Sequence, residues 1–200
     1  MPGSSPAESS SASSPWNLPN AITAVRILLV PVFLWLLLTH SDKHDPLRWW
    51  ALVVFLVTIS TDSLDGAIAR RRGLITNLGK ILDPIADKAL LGGALIGLSI
   101  LDEVPWWITV VILVRELGIT VYRFAVIRKK VIAASGGGKL KTVLQSVAVA
   151  FFISPFDLYL GAWLLWFEWA LLWAALAITL WSGISYVIAA YRHREDPAVQ

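Results

Sequence analysis

The sequence predicts an all-α, polytopic membrane protein with six transmembrane helices. Three observations predict it. Of 200 residues, 56% are apolar and only 16% are charged, and the mean hydropathy is +0.67. The apolar residues gather into six stretches near the ~20 residues that a spanning helix needs. The chain also carries 11 Trp, more than a small soluble core uses, and indole rings settle at the two bilayer interfaces.

Residues 1–15, MPGSSPAESSSASSP, lack any apolar run and read as a disordered tail. They also lack the basic start and apolar continuation of a signal peptide. The six-helix domain is expected over 16–194, with a short tail at 195–200. Trp16–Arg26 is only partly apolar, and Asn17 and Pro19 mark a helix start there. That piece is expected to lie along the interface before the chain turns inward. The spans are then expected at 21–39, 49–69, 81–101, 106–127, 142–164 and 168–191. Links rich in charges and helix breakers separate them: HSDKHDP, ARRRGLITNLGK, LDEVP, RKKVIAASGGGKLK and SPFDLYLG. The fifth and sixth are the least clearly divided, because Ser154–Glu168 is itself rich in Trp and Leu.

Orientation follows from Lys and Arg. Six spans put both termini on one side. That side, with the second–third and fourth–fifth links, collects 15 of the 17 Lys and Arg, whereas the other holds only Lys43 and Arg48. The termini are therefore expected in the cytoplasm of a bacterial-type plasma membrane. With no Cys, thiolate metal sites are excluded. His40, His44 and His193 flank spans on two different sides, so they do not make a shared metal site. Membrane lipids, not nucleic acid, are the expected surroundings of the basic ends.

Four carboxylates break the apolar pattern. Asp62 and Asp65 fall near the end of the second span, Asp83 and Asp87 near the start of the third. Each costs about 2.5–3.5 kcal/mol within a span on insertion scales, so four need a cationic partner. Asp62 and Asp65 are i, i+3, and Asp83 and Asp87 are i, i+4, so each pair shares a helix face. Antiparallel packing of the two helices then builds an all-oxygen site for one or two hard divalent ions, of the kind that neutralises phosphates. The plainer reading pairs these acids with Arg70, Arg71, Arg72, Lys80 and Lys88. Gly66, Ala69 and Gly79 leave the adjoining helix surface open to close approach.

The same residues carry a resemblance. Asp62-Ser-Leu-Asp65-Gly66-Ala-Ile-Ala69-Arg70, then eight residues, Gly79, three residues, Asp83, three residues and Asp87 resembles the signature of the CDP-alcohol phosphotransferase family. Every fixed position of D-x2-D-G-x2-A-R-x8-G-x3-D-x3-D is matched. The resemblance implies a six-helix transmembrane fold with a polar cavity that faces the cytoplasm, a homodimer, and Mg²⁺ or Mn²⁺ as cofactor, with two ions expected. It implies that Asp62, Asp65 and Asp83 are metal ligands, and that Asp87 is both ligand and catalytic base. It further implies that Gly66 and Arg70 contact a CDP-lipid, with Asn20 and Thr76 near the cytidine.

Features outside the signature resemble the phosphatidylglycerophosphate synthase branch of the family. They are Arg115-Glu116, Gly138-Lys139-Leu-Lys141-Thr142 with Gln145, and Trp181-Ser182. That branch implies CDP-diacylglycerol as donor and sn-glycerol 3-phosphate as acceptor. A phosphorylated acceptor needs cations inside the cavity. Arg115 lies midway along its span, where an unpaired guanidinium is costly. It pairs with Glu116 or an aspartate, or holds an anionic substrate. Arg123, Lys139, Lys141 and Arg192 fall at cytoplasmic helix ends and are the further candidates for the acceptor phosphate, although topology and lipid headgroups also account for such residues.

Cardiolipin synthases and phosphatidylinositol phosphate synthases of the same superfamily share the aspartates, so the signature does not separate them. A cation transporter is a rival of another class. Its acids would sit near the bilayer midplane on broken helices, within repeated halves; here they hug one interface and no repeat is visible. Gly136–Gly138 lacks the strand and GK[ST] ending of a P-loop. Gly93 and Gly97 form a GxxxG, a helix-packing face.

Overall fold

The computed structural model describes residues 18–39, 42–72, 77–126 and 137–195. Within its helices, the side chains of 18–20, 62–72, 77–84, 87, 122–126, 137–140, 186–187 and 189–195 lie outside the described residues.

Everything described is helical or turn. The helices are α1 Leu18–Leu38, α2 Pro46–Arg72, α3 Asn77–Ile100, α4 Trp106–Val126, α5 Gly137–Ile153, α6 Asp157–Leu160 and α7 Trp163–Glu195. Five of the six expected stretches match a helix closely. The larger differences lie at the two ends of the chain. Helix α1 runs unbroken from Leu18, so no separate interfacial piece precedes it over the described part of 16–26. Its start tolerates Pro19, whose missing N–H belongs to the unsatisfied first turn. Toward the other end, α5 stops at Ile153 rather than reaching residue 164. Pro155 offers no N–H and disfavours helical geometry at Ser154. The backbone N–H of Ser154 donates to the carbonyls of Ala150 (3.0 Å) and Phe151 (3.1 Å), closing the last turn. The four-residue α6 fills the break, Gly161 turns the chain at φ 88°, and α7 begins five residues earlier than expected. Its 33 residues make a rod of roughly 50 Å at 1.5 Å per residue.

Local sequence explains the other ends. Before α2, Asp45 accepts the N–H of Leu47 at 2.7 Å while Pro46 takes the first helical position, a side-chain cap beside a residue with no N–H to satisfy. After α3, Asp102 takes φ 58° and the N–H of Glu103 reaches back to the Leu98 carbonyl at 2.9 Å. This left-handed stop closes the carbonyls of the helix end.

Helix α3 is the centre of the bundle, packing on α1, α2, α4 and α5, while α7 lies on α4 and α5. The core joins Phe33 and Leu37 of α1 to Phe55 of α2, Leu90, Leu95 and Leu98 of α3, Ile108 and Ile112 of α4, and Ile153 and Leu172. The GxxxG is spent inside the protomer: Cβ atoms added at Gly93 and Gly97 would meet Leu34 and Leu37 of α1. Buried Ser99 and Thr109 share a hydrogen bond of 2.7 Å that ties α3 to α4.

The outer surface is apolar. Leu28 and Trp35 of α1, and Trp166, Trp181 and Ile184 of α7, are more than half exposed. Among the described residues two helices have the length and hydropathy of a membrane span, Ala21–Leu38 and Trp163–Ser185, and Pro46–Thr61, Lys88–Ile100 and Lys141–Ile153 are shorter apolar helices. At the end of the bundle that carries the α1–α2 link, polar groups are paired. Lys43 holds Glu168 of α7 at 2.9 Å, His44 meets Asp157 of α6 at 3.3 Å, and Arg48 pairs with Glu103.

Candidate functional site

The signature residues fall on two unbroken helices. Asp62, Asp65, Gly66 and Arg70 belong to α2, which continues to Arg72; Gly79, Asp83 and Asp87 belong to α3, which begins at Asn77. Both helices reach further than the spans expected from hydropathy. The acids therefore sit two to three turns inside helices, at registers that place each pair on one face. Helices α2 and α3 are packed neighbours. The side chains of all four aspartates, with those of Arg70, Arg123, Lys139 and Arg192, lie outside the described residues, as do the side chain of Asn20 and the whole of Thr76. Among the described residues no group of three or more His, Asp or Glu gathers into a metal site.

What is described is the next turn of α3 and the helices around it. Lys88 follows Asp87 directly. Its Nζ donates to Oε2 of Glu116 on α4 at 2.9 Å. Arg115 donates to Oε1 of the same carboxylate at 2.9 Å, and Lys141 of α5 donates to that oxygen as well. The other arm of Arg115 donates to Ser182 Oγ on α7 at 2.6 Å. A Cβ at Gly183 would come within 3.3 Å of the Arg115 stem, so the glycine makes room for it. One carboxylate thus joins α3, α4 and α5, and α7 through Arg115.

Of the five expected acceptor residues, the structure brings Arg115 and Lys141 together on this knot. Among the described residues, Glu116 is the carboxylate that Arg115 meets. Lys141 is 4% exposed despite its charge, which fits a residue held by an anion rather than a free topology marker. Beside the knot lies a small cleft lined by Lys88, Glu116, Thr142 and Gln145, with Leu91, Gly92, Leu113 and Leu117 as apolar walls. A second, apolar groove runs over Arg115 between Leu180, Gly183, Ile184 and Ile188.

Sequence reasoning named Lys88 and Glu116 but assigned no site role to either. Their signal was present: an acid in mid-span demands cations, and only Arg115 adjoins Glu116 in sequence. The helix packing that adds Lys88 and Lys141 spans 28 and 25 residues, and no short motif encodes it.

Comparison with known proteins bears on the chemistry. Residues 16–181 match the CDP-alcohol phosphatidyltransferase family. A probable phosphatidylglycerophosphate synthase of Mycobacterium tuberculosis is 46% identical over 178 residues, covering 88% of this chain and 82% of that protein. The CDP-diacylglycerol–glycerol-3-phosphate 3-phosphatidyltransferase of Bacillus subtilis is 38% identical over 184 residues, covering 86% and 93%. A CMP-forming cardiolipin synthase of Streptomyces coelicolor is 39% identical over only 99 residues, half of this chain and 46% of that protein.

Proposed function

Since the chain belongs to the CDP-alcohol phosphatidyltransferase family, a family of membrane enzymes, we propose that it transfers a phosphatidyl group from CDP-diacylglycerol to sn-glycerol 3-phosphate. The products are phosphatidylglycerol phosphate and CMP. One observation carries the choice of acceptor: the relatives named for this reaction are matched over 82% and 93% of their length, whereas the cardiolipin synthase is matched over 46% of its own. The cation knot around Glu116 supports it, because it places positive charge within the bundle, where a phosphorylated acceptor needs it.

The donor set of Asp62, Asp65, Asp83 and Asp87 suits hard, oxygen-loving divalent ions such as Mg²⁺ or Mn²⁺. Two registers on neighbouring helices supply enough oxygens for two. Such ions, when bound, offset the charge of the pyrophosphate and of the departing CMP. The protein's part is then orientation and proton removal. Gly66 presents bare backbone to the CDP moiety, and Arg70 neutralises one of its phosphates, with Asn20 and Thr76 toward the cytidine. Arg115 and Lys141, joined by Arg123, Lys139 and Arg192, receive the acceptor's phosphate. Asp87 takes the proton from the acceptor hydroxyl as its oxygen bonds to the lipid-linked phosphorus. The P–O bond to CMP breaks, and the electron pair leaves with CMP.

In this reading six spans, α1 to α5 and α7, cross the membrane. Both termini and the cavity face the cytoplasm, and two copies of the chain form a homodimer. The deciding experiment supplies purified protein with CDP-diacylglycerol, Mg²⁺ and one acceptor at a time. CMP release is expected with glycerol 3-phosphate. Release with phosphatidylglycerol or inositol phosphate alone overturns the acceptor.

A further inference from the structure

The proposed transfer gives no role to the two charged residues that line the cleft, Lys88 and Glu116. Glu116 binds no donor group and removes no proton, yet it is the most heavily partnered carboxylate among the described residues. Oε1 accepts from Arg115 and Lys141, and Oε2 from Lys88. An acid in mid-span is costly alone, and each cation is too. Together they are tolerable, since removing one partner of a buried pair exposes the full cost of the other.

The sum is not neutral. Three cations against one carboxylate leave two positive charges on the cluster, counted among the described residues. A phosphomonoester carries about −1.5 to −2 at neutral pH, which closes that gap; an uncharged polyol does not. The cations are also fixed from outside the cluster. Arg115 is braced by Ser182 at 2.6 Å, and Lys141, in the second turn of α5, is itself buried. The polar lining of the cleft beside them adds Thr142 and Gln145 to Lys88, and Lys88 is one residue along α3 from Asp87.

We infer that Glu116 is a positioning residue for the acceptor: it gathers Lys88, Arg115 and Lys141 into a preformed cradle whose residual charge matches a phosphomonoester. The inference rests on the acceptor site proposed above and deepens it in two ways. It adds Lys88 to the cradle. It also makes the preference for a phosphorylated alcohol over a neutral one a property of this cluster. Glu116 acts through the three cations, so its loss disperses them and weakens acceptor binding without touching the donor lipid.

The test uses the full chain in detergent or nanodiscs, with CMP release as readout. Wild-type protein is assayed first with each acceptor. Turnover with inositol phosphate alone overturns the choice of glycerol 3-phosphate but leaves the cradle to be measured with that monoester; turnover with phosphatidylglycerol alone overturns both. Glu116→Gln is expected to raise KM for the phosphorylated acceptor about tenfold or more, with KM for CDP-diacylglycerol within about twofold. Glu116→Asp, which keeps the charge, is expected to recover most of that loss. An acceptor KM that stays within about twofold of wild type, or a parallel rise in both KM values, overturns the inference. Should Glu116→Gln fail to fold, Lys88→Gln carries the test. It is expected to raise the acceptor KM alone by about fivefold, and an unchanged acceptor KM overturns the cradle.

Discussion

Charged and polar side chains inside this bundle fall into two groups, those that are matched and those that are not. Glu116 is matched three times over. Thr179 is fully buried on α7, and its hydroxyl finds no partner among the described residues. A buried hydroxyl without a partner costs about 1–3 kcal/mol. Thr179→Val removes the hydroxyl at nearly constant volume, and is expected to raise thermal stability in detergent by about 1 kcal/mol without altering turnover. A fall in stability would mean that the hydroxyl is satisfied. Asp87 is the base of the proposed transfer, so its test lies in the reaction. Asp87→Asn keeps the shape but is a far poorer proton acceptor. It is expected to lower kcat by about 10²–10⁴-fold while the protein still binds CDP-diacylglycerol, as measured by calorimetry. Near-normal turnover would remove the base assignment.

At the scale of the element, the contact between α1 and α3 depends on two glycines that are not equivalent. A Cβ at Gly97 would lie 2.6 Å from Leu37 Cδ2, whereas one at Gly93 would meet Leu34 at an ordinary 3.5 Å. Leu37 is itself fully buried and has little room to yield. Gly97→Ala is expected to cost about 1–3 kcal/mol by overpacking. Gly93→Ala is expected to be neutral or mildly stabilising, since alanine restricts the unfolded chain. Equal melting temperatures for the two variants would show that α1 and α3 separate freely there.

Much at this scale was legible beforehand. Hydropathy located the helices because apolar length is a direct physical requirement of a span. Helix ends were less legible. The polar ends of α2 and α3 continue past the apolar stretches, since helical hydrogen bonding does not stop where lipid does. The break at Ser154–Pro155 lay hidden in a segment as rich in Trp and Leu as the helices around it. The site divided in the same way: the aspartates were read from spacing within single helices, while the partnership of Lys88 and Lys141 with Glu116 needed three helices to be packed first.

At the scale of the whole molecule, the proposed six spans divide the basic residues unequally between the two ends, and that asymmetry makes a claim about the membrane. The end with the α1–α2 link holds Lys43 and Arg48, and both are committed to ion pairs with Glu168 and Glu103. They are structural clasps, and 15 of the 17 Lys and Arg are expected on the opposite side. Basic links are retained in the cytoplasm, so the link after α1 and the link after α4 are expected on opposite sides. The absence of Cys makes this directly measurable, because any thiol introduced is the only one in the chain. Ser41→Cys places a thiol in the first link, and Ser135→Cys places one in the link before α5. In intact cells a membrane-impermeant maleimide is expected to label Ser41→Cys and to leave Ser135→Cys unmodified until the membrane is opened. The reverse pattern would turn the protein over. It would also put the cradle on the side away from the cytoplasm, where glycerol 3-phosphate is not supplied by metabolism, so the proposed acceptor stands or falls with the same labelling experiment.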